Sequence, residues 1–188
     1  GNVSLSVSEI SASNSVNLCP EANHSLSDNR NKSNHTTNTC TTVKGFSNRI
    51  TCDPYYYYDG TCRLTFLSTC NATLRHREVK FHCTDGFKKD EEALVMYPEN
   101  IPILDLSYNF IIELEGNAFH DLAKLQELRL QGNHLTTLPN ELFQQLQDLK
   151  VLSLFRNQLV TLAANLFQRL SQLTNLHLYY TSCTGYIV

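Results

Sequence analysis

The second half of the sequence repeats itself every 24 residues. Ile101, Leu125, Leu149 and Leu173 each begin a unit, and the same pattern follows each of them. With these residues counted as repeat position 1, the pattern is L-x-x-L-x-L-x-x-N-x-L, with further apolar residues at positions 14, 19 and 22. Three units are complete and a fourth is partial. A fixed period of this length predicts a solenoid, because stacked units bury one continuous core.

The residue types at each repeat position predict the local structure. Positions 4 and 6 alternate with positions 3, 5 and 7, as in a short strand with one buried face. An amphipathic helix does not fit, because its apolar residues recur at i, i+3 and i+4. The shared residues are leucine at position 4 (Leu104, Leu128, Leu152, Leu176) and position 6 (Leu106, Leu130, Leu154, Leu178), asparagine at position 9 (Asn109, Asn133, Asn157) and phenylalanine at position 19 (Phe119, Phe143, Phe167).

Each repeat is therefore expected to contribute one strand to a parallel sheet. The asparagine amides can both donate and accept, so they are expected to satisfy backbone groups where the chain leaves the sheet. The phenylalanines are expected to stack inside the convex wall. The fold class predicted is an α/β solenoid.

Cysteines and glycosylation sequons concentrate before the repeats. A zinc site is disfavoured there, because no C-x-x-C pair occurs. The crowding and the even number of the six cysteines predict a disulfide framework instead, and its pairing is left open. Its members are Cys19, Cys40, Cys52, Cys62, Cys70 and Cys83. The N-x-S/T acceptors for glycosylation are Asn2, Asn23, Asn31, Asn34 and Asn71. Both features require the secretory route, so we expect an extracellular protein, either secreted or the ectodomain of a membrane receptor.

The chain before the repeats divides into two parts. Residues 1–51 are rich in Ser, Thr and Asn without apolar periodicity, and we expect a largely disordered, glycosylated leader. Residues 52–100 are expected to form a cysteine-rich N-terminal cap, and residues 101–188 the repeats.

Two local patterns lie inside the cap. From Glu78 to Cys83, apolar residues alternate with polar ones and predict a half-buried strand. Four consecutive tyrosines, Tyr55–Tyr58, lie between turn-forming residues and are bracketed by two cysteines. They are interpreted as a stapled hairpin or loop, with a tyrosine-rich binding tip as the alternative.

The repeats and the segment before them resemble the extracellular, 24-residue class of leucine-rich repeat proteins. The resemblance covers roughly residues 79–178 and includes Toll-like receptor ectodomains and the variable lymphocyte receptors of jawless fish. It implies a horseshoe segment with a parallel concave sheet and an N-terminal disulfide-rich cap. It also implies noncovalent recognition of a protein, glycan or microbial ligand through the concave sheet. The cap lacks the close C-x-C pair that many caps of the class carry.

Side chains at positions 3, 5, 7 and 8 are expected to line this concave face in columns. Aromatic residues and arginine are enriched where binding energy concentrates, so some of these side chains form the candidate ligand site. The site residues predicted are Tyr108, Arg129, Phe155, Arg156, Tyr179 and Tyr180. The alternatives are that Phe155 and Tyr179 only pair across neighbouring strands, or that the two C-terminal tyrosines cover a ragged end.

Composition excludes several other functions. The formal charge of -3 is too small for attraction to nucleic acid, and no apolar run reaches the length of about 18 residues needed to span a membrane. No catalytic motif, metal-site spacing or cofactor fingerprint occurs, so we expect no enzyme, no metal and no cofactor.

The expected partner is a protein or glycan ligand, with a dimer through the concave face or the open C-terminal end as a further option. Because no C-terminal cap follows the partial repeat, the chain is expected to be part of a longer receptor-like protein. Cys183 falls at the inward position 11 and is interpreted as a buried thiol or as a partner of a missing cap or second chain. The alternative function is a secreted matrix or adhesion protein with the repeats as scaffold.

Overall fold

The computed structural model describes residues 15–17, 40–41, 48–52, 59–66, 68–84, 91–98 and 100–179. The tyrosine loop, Tyr180, Cys19, Cys183 and the sequons at Asn2, Asn23, Asn31 and Asn34 lie outside these residues. The described strands are β1 (Ser15–Asn17), β2 (Cys40–Thr41), β3 (Asn48–Thr51), β4 (Thr61–Arg63), β5 (Asn71–Arg75), β6 (Glu78–His82), β7 (Glu91–Met96), β8 (Ile103–Asp105), β9 (Ile111–Leu114), β10 (Glu127–Arg129), β11 (Val151–Ser153), β12 (Thr161–Ala163) and β13 (Asn175–His177).

A parallel sheet forms the concave side of a leucine-rich repeat solenoid. Its strand order is β13-β11-β10-β8-β4. The repeat strands align in the 24-residue register, with Ile103, Glu127, Val151 and Asn175 side by side. The prediction of one short parallel strand per repeat is confirmed. The cap supplies the edge strand β4, which pairs with β8 of the first repeat.

The repeated apolar residues form the core as the pattern predicts. The leucines at positions 4 and 6 of the three complete repeats are at most 1% exposed. The side chains of Phe119, Phe143 and Phe167 stack in series, with ring centroids 6.4 and 6.1 Å apart. This confirms the predicted phenylalanine stack.

The asparagines at position 9 form a buried ladder that joins successive repeats. The amide nitrogen of Asn133 donates to the carbonyls of Leu106 and Leu130, both at 3.0 Å. Asn109 extends the ladder into the cap, because it donates to Leu64 O at 2.6 Å and accepts from the N–H of Phe66 at 2.8 Å. The predicted role of these amides is confirmed.

The convex side is built from turns and short strands. The described residues include the 3-10 helix Ala164–Phe167 and contain no α-helix. Backbone bonds such as Ala118 N–H to Glu115 O and Leu122 N–H to Phe119 O join residues three apart. These segments are too short to repay the nucleation of an α-helix, so they close as tight turns.

The cap forms a second sheet with the strand order β2-β3-β7-β6-β5-β9. Strands β5, β6 and β7 are antiparallel neighbours, and β5 pairs in parallel with β9 of the first repeat. In β6, Val79 and Phe81 are buried, which confirms the predicted half-buried strand. Strand β3 lies within the segment expected to be a largely disordered leader. It forms a strand there because pairing with β7 buries Ile50. Earlier in the chain, β1 pairs antiparallel with β12 of the third repeat.

Two disulfides hold the cap together. Cys52 is joined to Cys62, and Cys70 to Cys83, with Cα–Cα distances of 4.9 Å in both cases. The first connects the end of β3 to β4, so it ties the cap sheet to the concave sheet. The second joins residues flanking the β5–β6 hairpin. The predicted disulfide framework also includes Cys19 and Cys40. Cys19 lies outside the described residues, and the side chain of Cys40 is likewise not described.

Candidate functional site

The concave sheet extends from the cap into the fourth repeat and presents aligned columns of side chains. Arg63 of β4 lies beside Asp105 of β8, and the same column continues with Arg129, Ser153 and His177. The cap therefore contributes a residue to the concave surface itself.

A charged network occupies the cap end of this surface. Arg63 donates from Nε and Nη2 to Asp105 Oδ2 at 3.0 and 2.7 Å. Arg129 Nη1 lies 3.6 Å from the same oxygen, and Arg129 Nε donates to Glu127 Oε1 at 2.6 Å. Burial disfavours the charged guanidinium and is the largest single effect on the pKa of Arg129. The hydrogen bond to Glu127 and the negative charges of Glu127, Asp105 and Asp59 together outweigh burial and raise this pKa. The charges at this end are thus matched within the protein.

Asp105 departs from the sequence expectation. Position 5 is expected to face solvent, yet Asp105 is only 1% exposed. The two arginines cover it, and its Oδ1 accepts the backbone N–H of Ser107 at 3.0 Å. A buried carboxylate needs such partners, so Asp105 is a structural centre of the network.

An aromatic pair lies at the other end of the described sheet. The rings of Phe155 and Tyr179 are stacked with centroids 4.6 Å apart and an interplanar angle of 11°. His177 meets the Tyr179 ring edge-on at 6.3 Å. Both stacked side chains are partly exposed. The cross-strand pairing considered as an alternative is therefore present, and the pair also offers aromatic surface to solvent.

A third group lies along position 8, three residues beyond the ends of the repeat strands. Tyr108, Gly132 and Arg156 all have positive φ, at 58°, 71° and 53°. A Cβ atom at residue 132 would lie 2.3 Å from ring atoms of Tyr108, so that ring lies across Gly132. Its hydroxyl accepts from Arg156 Nη1 at 3.4 Å. Glycine at residue 132 therefore makes room for a contact between the first and third repeats.

The predicted site residues thus fall into three groups. Arg129 belongs to the charged network, Phe155 and Tyr179 form the aromatic pair, and Tyr108 and Arg156 touch at position 8. Tyr180 lies outside the described residues. Sequence reasoning missed Arg63, because β4 precedes β8 by 42 residues, which is not a multiple of the repeat. It also missed Gly132. The other residues at position 8 are large (Tyr108, Arg156 and Tyr180), so a glycine in this column was a signal that could have been used.

The convex side carries a competing surface. A groove of about 440 Å³ lies between neighbouring repeat turns and is lined by Glu115, Gly116, Asn117, His120, Glu141, Leu142, Gln144 and Gln145. Its lining is mostly polar and contains no ring other than His120. Aromatic side chains concentrate binding energy better than flexible polar ones, so the concave surface is the stronger candidate.

No cluster of three His, Cys, Asp or Glu side chains suited to a metal ion occurs in the described part of the chain. No described helix is long and apolar enough to cross a membrane. The predicted glycosylation acceptor Asn71, at the start of β5, is exposed.

Comparison with known proteins agrees with this fold. The sequence model of the family described as leucine rich repeat matches residues 94–135 and 123–182, together just under half of the chain. Over 62 residues the chain is 45% identical to the leucine-rich repeat-containing G-protein coupled receptor 5A of Xenopus laevis. That alignment covers 31% of this chain and 6% of the receptor, so the chain corresponds to a small part of that relative. The described residues thus form a leucine-rich repeat solenoid with a disulfide-bonded N-terminal cap.

Proposed function

We propose that this chain is an extracellular recognition module of a receptor and that it binds a protein ligand on its concave face. One observation carries the proposal: the Phe155–Tyr179 pair is partly exposed on the concave sheet. The exposed Arg156 follows Phe155 in the chain. Aromatic residues and arginine supply most of the energy at protein interfaces. The two cap disulfides support an oxidising, extracellular location.

The similarity to a protein named as a receptor supports a receptor over a matrix protein. The more specific assignment, to a Toll-like or related innate immune receptor, rests on the sequence resemblance. Reading the full-length transcript distinguishes the options. A membrane span with an intracellular signalling domain supports a receptor, whereas a repeat array that ends in a secreted stop supports a matrix or adhesion protein.

The matrix alternative has one structural observation in its favour. Phe155 and Tyr179 cover each other by stacking, so each loses apolar exposure without a ligand. A scaffold protein could retain such a pair for stability alone.

The binding test uses the secreted, disulfide-bonded chain against an array of purified secreted and cell-surface ectodomains. Phe155→Ser and Tyr179→Ser should each weaken binding of any captured ectodomain by about 30-fold, which corresponds to about 2 kcal/mol lost at the centre of an interface. The convex variant Gln144→Ser should bind normally. Loss of binding in Gln144→Ser, with normal binding by both concave variants, would assign the ligand to the convex groove instead.

A further inference from the structure

The charges on the concave face are not balanced evenly. Arg63 and Arg129 both contact the carboxylate of Asp105, and Arg129 also contacts Glu127. Within the described part of the chain, Arg156 has no carboxylate partner, and its side-chain bond is the long contact to the Tyr108 hydroxyl. Arg156 is therefore the guanidinium of this face that remains available to a ligand anion.

The surroundings of Arg156 hold it in place. Its backbone N–H donates to the carbonyl of Tyr179 at 3.2 Å. The Tyr108 hydroxyl reaches Nη1 because Gly132 lets the ring lie flat across the second repeat. Phe155 precedes Arg156 in the chain and stacks on Tyr179. A guanidinium that contacts the Tyr108 hydroxyl, one residue along the chain from a stacked aromatic pair, suits a ligand that presents a carboxylate near an apolar group.

We propose that Arg156 is the anchor for an acidic side chain of the protein ligand, and that the Phe155–Tyr179 pair receives an apolar side chain beside it. Tyr108 and Gly132 position the guanidinium. The inference rests on the proposed function and adds the chemistry of the partner. A polyanion such as a sulfated glycan fits less well, because the other two arginines of the face are already neutralised by Asp105 and Glu127.

The test selects random linear peptides displayed on phage against the folded, disulfide-bonded chain. Selected sequences should be enriched in Asp or Glu next to an aromatic or branched aliphatic residue. The best peptide is then synthesised with its acidic residue and with the matching amide, and both are titrated by fluorescence polarisation. Removing the carboxylate should weaken binding by about tenfold or more, as expected for a charge-assisted hydrogen bond.

Arg156→Gln should weaken binding of the acidic peptide by a similar factor and leave binding of the amide peptide unchanged. Arg169→Gln is the matched control, because it removes the same charge from an exposed residue after the 3-10 helix of the convex side. Tyr108→Phe removes only the hydroxyl and should cause a smaller loss, restricted to the acidic peptide. A merely structural role of Tyr108 would weaken both peptides equally.

Three outcomes would overturn the inference. Peptides whose binding needs Phe155 but neither a carboxylate nor Arg156 would refute the anchor and leave the proposed function standing. Binding that survives both Arg156→Gln and Phe155→Ser would refute the anchor and the concave site together. Retention of the chain on heparin that is lost in Arg156→Gln but kept in Arg169→Gln would assign the anchor to a sulfated glycan rather than to a protein.

Discussion

The side-chain oxygen of Asn133 accepts a hydrogen bond at 3.0 Å from the backbone N–H of Asn109, which lies one repeat earlier in the chain. The same oxygen accepts from the N–H of Ile111 at 3.0 Å, while the amide nitrogen donates to two carbonyls. One buried side chain therefore satisfies four backbone groups where the chain turns away from the sheet.

Asn133→Ala should be strongly destabilising. It leaves the buried N–H groups of Asn109 and Ile111 without their acceptor, whereas the two carbonyls keep the amides of Asn109 and Asn157 as donors. Two unpaired buried donors should lower the free energy of unfolding by about 2 kcal/mol or more. Urea denaturation followed by far-UV circular dichroism measures the change. Asn140→Ala, at an exposed position, is the control and should stay within about 0.5 kcal/mol of the parent chain. Equal midpoints for the two variants would refute the role assigned to the ladder.

Asp105→Ala should destabilise the junction of cap and repeats. It leaves the guanidinium groups of Arg63 and Arg129 without their shared carboxylate. Both arginines are partly solvated, at 31% and 29% exposure, so the cost should be about 2 to 3 kcal/mol, that of lost charge-assisted hydrogen bonds. The matched control is Asp148→Ala, which removes the exposed partner of Lys124 and should cost about 1 kcal/mol or less. Denaturation midpoints compare the two. Similar losses in both variants would show that burial of Asp105 does not matter energetically.

Truncation of a central leucine tests the repeat register. Leu130 and Leu154 are both 0% exposed, as the pattern predicts, and Leu→Ala at either should cost about 2 to 5 kcal/mol. Because a solenoid is stabilised by contacts between neighbouring repeats, the loss should spread through this short array. Leu173→Ala, at a partly buried position of the last repeat, should cost less. An unchanged thermal midpoint in both central variants would contradict the register.

Tyr97 should make the cap sensitive to alkaline pH. Burial raises the pKa of its hydroxyl, with the nearby Arg77 acting in the opposite direction. The folded state therefore favours the neutral phenol, so this contribution to stability is complete below the unfolded pKa of about 10 and is lost as pH rises above it. Among the described residues the Tyr97 hydroxyl has no hydrogen-bond partner, although it is buried, and the guanidinium of Arg77 lies over the ring at 4.8 Å.

Tyr97→Phe should accordingly reduce the loss of stability at alkaline pH, while its stability at pH 7 should be equal to that of the parent chain or slightly higher. Unfolding midpoints at pH 7 and at pH 10.5 measure the difference for each protein. Tyr108→Phe changes an exposed tyrosine and serves as the reference. A pH dependence that is identical in all three proteins would rule out the contribution of Tyr97.

The sequence alone was sufficient for the repeat part of the fold. The 24-residue period places Leu130, Leu154, Asn133 and Phe143 correctly, because each repeat contacts mainly its neighbours and the same local environment recurs at the same position. The alternation in β6 was readable for a similar reason, since period two directly reflects one buried face.

Tertiary structure decided the parts of the site that break the repeat. The pairing of β4 with β8 brings Arg63 to Asp105 across 42 residues, a distance that no periodicity encodes. The buried state of Asp105 follows from that pairing. The orientation of Tyr108 depends on the missing side chain at Gly132, and the availability of Arg156 depends on which carboxylates the other arginines have already taken. Local pattern determines which residues are buried, whereas contacts between distant segments determine which charges are left over for a ligand.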